Sequence, residues 1–179
     1  MTHVQLNNQQ QTPPLKRPQN LQSILAAIVR LSELESRLRP DDEIVVNLVD
    51  RDTIARINHD HLGHEGPTDV ISFAYLEAPG FDAMHTHTPA VAGELFVCPD
   101  VAADCARGPA AADTRADAPA PTGSLGEELV LYCIHGILHL CGHDDHTEEQ
   151  RLTMRRREKI LLRQIKQEFD VQTLFQERP

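Results

Sequence analysis

The sequence predicts an α+β fold, a small mixed four-stranded sheet packed with about five helices, with a metal site on a buried central helix. Three observations carry this. Apolar patterns of strand and helix period follow one another as β, α, β, α, β, β, α, α, α, which is not the regular alternation of a doubly wound sheet. Glu43 to Val49 is rich in β-branched residues, as a largely buried strand would be. The run from Ser124 to Cys141 has Ile134, Ile137, Leu138 and Leu140 at helical spacing, with His135 and His139 among them.

Val4 to Asn8 reads as a short first strand, followed by a connection bearing Pro13, Pro14 and Pro18. A helix capped by Asn20 then places Leu21, Ile24, Leu25, Ile28, Leu31 and Leu38 on one stripe and ends at Pro40. After the Glu43 to Val49 strand, Asp50 caps a second helix with Ile54 and Ile57 inward and a stop near Gly63. Val70 to Tyr75 and Gly93 to Cys98 supply the remaining strands, and Pro99 and Asp100 begin a short helix. Residues 78–91, with His85 and His87, and the Ala/Pro/Asp-rich residues 108–123 read as flexible insertions. The H-x-H pair reads as solvated loop.

Ser124 with Glu127 has the spacing of a capping box, and Thr147 with Gln150 repeats it ahead of a last helix running to about Lys166. That helix has Leu152, Ile160, Leu161 and Ile165 as a partial apolar stripe. Its basic run, Arg155 to Arg157 with Lys159 and Arg163, reads either as a solvated, salt-bridged face or as an RNA-facing patch. Residues 168–179 read as a tail. The whole of 1–179 suits a single domain with a real core.

Seventeen Lys+Arg against 27 Asp+Glu give a net charge of -10, which argues against indiscriminate coating of nucleic acid. No DNA partner is expected. Cys98, Cys105, Cys133 and Cys141 form no C-x-x-C pair and read as reduced residues, two of them in an apolar helical run. The first residues lack the pattern of a secretion signal, and no apolar run reaches the length of a membrane span. A cytoplasmic protein without a membrane partner is the expectation.

The chemistry is concentrated between Glu127 and His146. His135 and His139 lie four residues apart, so their imidazoles leave one helix face a turn apart, within reach of one ion. Gly142 can end the helix and bring Asp145 or His146 back to that face. Two imidazoles and a third ligand suit one Zn2+, with a coordination position left for water. Against the zinc-protease spacing H-E-x-x-H-x-x-G-x-x-H, the third ligand falls on Asp145, and a one-residue bulge would move it to His146. Position 136 is Gly where those proteases place their general base, so peptide hydrolysis by that route is not expected. No catalytic base is identified. Glu128, seven residues before His135, lies on nearly the same face and suits either a base or an orienting partner for a ligand.

His135-Gly136-Ile137-Leu138-His139-Leu140-Cys141-Gly142-His143-Asp144-Asp145-His146 resembles the H-G-x-L-H-L-x-G-Y-D-H hallmark of the YbeY family of bacterial endoribonucleases and rRNA maturation factors. Pro67 to Phe73 resembles that family's P-T-D-V-L-S-F segment, and Gly93-Glu94-Leu95 with Cys98-Pro99 its G-D-I-x-I-C-P strand. The resemblance implies one zinc on three side chains and cleavage of single-stranded RNA at the 3′ end of small-subunit rRNA. It also implies a part in ribosome quality control, with ribosomal RNA and ribosomal or assembly-factor proteins as partners. The alternative is a non-catalytic, zinc-containing ribosome-assembly or RNA-binding factor. The chain departs from the family pattern at Asp145, commonly His, at His143, commonly Tyr, and at Leu62, where the family has an Arg that His64 could replace.

Overall fold

The computed structural model describes residues 3–76, 90–108 and 123–175, so the His85–His87 pair and nearly all of both insertions lie outside the described residues. The chain runs β1 (His3–Asn8), α1 (Pro18–Leu31), a 3-10 turn (Leu34–Arg37), β2 (Glu43–Leu48), α2 (Arg51–Leu62), β3 (Val70–Ala74) and β4 (Val91–Val97). It continues with α3 (Pro99–Ala106), α4 (Leu125–Leu140), α5 (Glu148–Glu168) and a second 3-10 turn (Val171–Leu174). The sheet is mixed and four-stranded, in the order β1-β2-β4-β3. β1 and β4 flank β2 in parallel, and β3 closes the far edge antiparallel to β4. This is the α+β architecture that the strand and helix periods predict.

Alternation sorts the strand residues onto two faces. One face presents Ile44, Val46, Leu48, Leu95 and Val97, all without solvent exposure, to the helices. The other carries a polar row from strand to strand: Asn7 Nδ2 donates to Asn47 Oδ1 (3.0 Å), Asn47 Nδ2 to Glu94 Oε1 (2.8 Å), and Tyr75 OH to Glu94 Oε2 (3.2 Å). Beside this row Phe73 meets Phe96 edge to face, and His61 from α2 meets Phe73 in the same way.

α4 is the centre of the molecule. Every residue from Gly126 to Leu138 is buried, and Glu127 and His135 meet partners on the neighbouring helix α5. Two glycines set how closely it packs. A Cβ on Gly136 would stand 2.7 Å from Leu95 Cδ2 and 2.9 Å from Ser72 Oγ, so the helix lies directly on β3 and β4. A Cβ on Gly126 would collide with the carbonyl oxygen of Val171.

Several boundaries differ from those the sequence predicts, each for a local reason. α1 begins at Pro18 with Arg17 as N-cap, because proline's fixed φ suits the first helical turn better than Asn20 suits the cap. Its stripe does not run on unbroken to Leu38: Glu33 adopts a left-handed φ of 68°, and the chain restarts as the 3-10 turn. Ser124 makes no side-chain cap hydrogen bond; instead Glu127, the other half of the expected box, accepts from Lys166 Nζ on α5 at 2.7 Å. The second box forms fully, with Thr147 and Gln150 each bonding the other's backbone. β4 starts at Val91, inside the expected insertion. Part of the expected tail is core, since Val171, Leu174 and Phe175 are buried and Phe175 bridges to Leu15, while residues 176–179 lie outside the described residues.

On α5 the inward stripe is Met154, Glu158, Leu161 and Ile165, while Leu152 and Ile160 are 47% and 42% exposed. The helix is thus rotated from its most apolar reading, and a carboxylate sits on its buried side. None of the four cysteines is in a disulfide. No helix among the described residues is long and apolar enough to cross a membrane.

Candidate metal centre

α4 projects His135 and His139 from one face, and their Nε2 atoms stand 3.0 Å apart with the rings nearly perpendicular. The helix then stops within one turn. Gly142 takes a φ of 84°, and the amides of Gly142 and His143 bond back to His139 and Leu138, reversing the chain. The reversal carries Asp145 back over the helix end, placing its Oδ2 3.8 Å from His135 Nε2. Arg151 of α5 fixes the turn from the other side, its Nη1 donating to the carbonyls of Asp145 (3.3 Å) and His146 (3.0 Å).

One donor atom from each of His135, His139 and Asp145 lies within 4.8 Å of the other two, an arrangement that could hold a metal ion. A tetrahedral ion with bonds of 2.0–2.2 Å spaces its ligand atoms by roughly 3.4 Å, a value the observed 3.0 and 3.8 Å bracket. Small adjustments of Asp145, which is on the solvent side, would complete the fit. His146 is exposed and outside the cluster. Of the two candidates left open by the spacing, Asp145 is the one brought to the histidines.

Sequence reasoning misses the fourth member. Glu158 of α5, 6% exposed, places Oε1 2.6 Å from His135 Nδ1. A carboxylate only accepts, so this bond takes a proton on Nδ1, and the neutral ring with its proton there keeps the Nε2 lone pair facing the cluster, the tautomer a metal requires. The orienting role considered for Glu128 therefore has an occupant on another helix, while Glu128 stays buried within α4. The signal was present in the sequence: Glu158 interrupts an otherwise apolar row at i−4, i+3 and i+7.

His139 is held below its ordinary pKa, first by burial and then by the adjacent His135, so it stays a neutral donor over a wider pH range. The nearby thiols are poor competitors. Burial pushes Cys133 up to about 12 and also raises Cys141, whose Sγ turns away to the Ser32 carbonyl at 3.6 Å. Leu62 is half exposed at the end of α2, and His64 is exposed beyond Gly63.

Comparison with known proteins gives a consistent result. The family described as Endoribonuclease YbeY matches residues 5–166. An Endoribonuclease YbeY of Rhodopirellula baltica is 38% identical over 120 residues, covering 67% of this chain and 52% of that protein. One from Syntrophotalea carbinolica is 36% identical over 132 residues, covering 73% of this chain and 77% of its own. The matched stretch thus spans about half of the first relative's length. The solution structure of TM1509 from Thermotoga maritima shares the fold, with a TM-score of 0.55 at 24% identity over 94% of this chain and 91% of that one.

Proposed function

The chain belongs to the YbeY endoribonuclease family, and from that premise we propose that it is a zinc-dependent, single-strand-specific endoribonuclease acting in rRNA maturation, at the 3′ end of small-subunit rRNA, and in ribosome quality control. The observation that carries the reading is the cluster of His135, His139 and Asp145, three donors that could hold one ion, the number of protein ligands that a catalytic zinc takes alongside a water. Zinc is the ion that two imidazoles and one carboxylate suit best, and when bound it supplies Lewis acidity towards a phosphodiester and lowers the pKa of a coordinated water.

The chain's own groups then have separable tasks. His135 and His139 supply nitrogen donors, the first oriented by the contact of its Nδ1 with Glu158. Asp145 supplies negative charge on the open side, where the turn held by Arg151 keeps it in range. Gly136 places no side chain in the site, since it lies against Leu95 and Ser72.

Two measurements test this. Asp145→Ala is expected to lose most of its bound zinc in metal analysis of the purified protein, and His146→Ala to keep it; the reverse pattern would overturn the ligand set. Zinc-loaded protein is expected to cut ribosomal RNA, and His139→Ala to cut none. Full zinc occupancy without cleavage would favour a non-catalytic assembly factor.

A further inference from the structure

The outward side of α5 is the feature that the metal site leaves unexplained. Between Gln150 and Gln167 the helix carries five arginines and two lysines against one acid, Glu158, and that acid is turned inward to His135. Arg151, Arg155, Lys159 and Arg163 follow at steps of four, the spacing that stacks side chains into one ridge along a helix. The ridge is about 18 Å long with a side chain every 6 Å or so. Arg156, Lys159 and Arg163 are exposed and have no acidic partner among the described residues, while Lys166 is engaged by Glu127. Like charges at this spacing repel, and a helix serving only as a solvated face would interleave acids. In a chain of net charge -10 the ridge is a local reversal of sign.

One end of the ridge is fixed at the metal centre. Arg151 clasps the carbonyls of Asp145 and His146, and one turn beyond Arg155 the same helix gives Glu158 to His135. A polyanion engaged at the cluster therefore meets the basic row next. Resting on the nuclease reading above, we propose that this ridge is the track for the phosphates of single-stranded RNA leading away from the metal centre. Lys159 and Arg163 of this row, with Arg156 exposed beside them, are long, solvated cations that neutralise successive phosphates without reading bases, which suits a substrate held by its backbone.

The test is binding of a fluorescent, single-stranded 2′-O-methyl oligoribonucleotide to the zinc-loaded full chain, by anisotropy across a salt series. Arg156→Gln/Lys159→Gln/Arg163→Gln is expected to weaken binding at low salt by at least about tenfold and to flatten the slope of log affinity against log salt by roughly 2, the share of three phosphate contacts. Lys16→Glu/Arg17→Gln removes the same net charge elsewhere and is expected to leave affinity and slope near wild type. Circular dichroism confirms that both variants fold. Unchanged binding in the ridge variant, or an equal loss in the control, overturns the proposal. So does loss of binding to phosphatidylcholine–phosphatidylserine vesicles with RNA binding intact, which would make the ridge a membrane surface. A chain that binds RNA through the ridge and cuts none overturns the nuclease reading alone; one that cuts RNA and binds equally well without the ridge overturns this proposal alone.

Discussion

A Gly136→Glu variant, the substitution that restores the sequence of a zinc-protease helix, is expected to lower the thermal midpoint by about 10 °C or more and to show no peptidase activity. The position has no room. Even a methyl group there meets Leu95 and Ser72 at 2.7–2.9 Å, and Leu95 is fully buried beneath it. Overpacking of this kind costs about 1–3 kcal/mol. A carboxyl forced between helix and sheet without a partner adds a desolvation cost of similar or greater size. A combined loss of roughly 4 kcal/mol, at about 2–4 °C per kcal/mol for a domain of this size, gives the expected shift. It is a large share of the 5–15 kcal/mol that stabilises an ordinary protein. Thermal unfolding followed by circular dichroism, with a casein digest alongside, makes the comparison. A wild-type midpoint, or any metal-dependent proteolysis, would mean that α4 does not lie on the sheet as described.

Glu158→Ala is expected to weaken zinc binding by roughly 10- to 100-fold, the usual consequence of removing the carboxylate behind a ligand imidazole. Without Glu158 the proton of His135 is free to sit on either nitrogen, and the ring loses the contact that sets its angle. Glu158→Gln keeps an acceptor oxygen of the same reach and is expected to recover part of the loss. Competition against a chromophoric chelator gives the affinities. The cobalt-substituted proteins add a readout that general destabilisation would not produce, a change in the visible ligand-field spectrum of Glu158→Ala relative to wild type. Equal affinity and equal spectra in all three proteins would remove Glu158 from the site.

These two residues show how far the sequence was legible. Gly136 is visible as the absence of a general base, yet its positive reason is a helix–sheet contact made by Leu95 and Ser72, whose proximity depends on tertiary packing. The histidine pair and its glycine turn are local, and local spacing was enough to favour Asp145. Glu158 lies 23 residues from its partner, within a stretch whose many charges disguise it as surface. The same blind spot misplaced Leu152 and Ile160, apolar residues that the rotation of α5 leaves outside. The strands were legible individually, but the order β1-β2-β4-β3 depends on which edges the crossovers reach. Capping went half right, because Glu127 meets a lysine brought by another helix that no local pattern contains.

The short reversal after Gly142 has a thermodynamic consequence. His135, His139 and Asp145 all come from one eleven-residue stretch. Little loop-closure entropy separates these donors in the disordered chain, so an ion can retain some of its ligands even when the sheet has come apart. Metal that binds both ends of the folding equilibrium stabilises the native state by less than its affinity suggests. What distinguishes the native site is the non-local contribution of α5, Glu158 behind one imidazole and Arg151 under the turn. The difference in ion affinity between the folded and unfolded chain therefore resides chiefly in how α5 docks on α4.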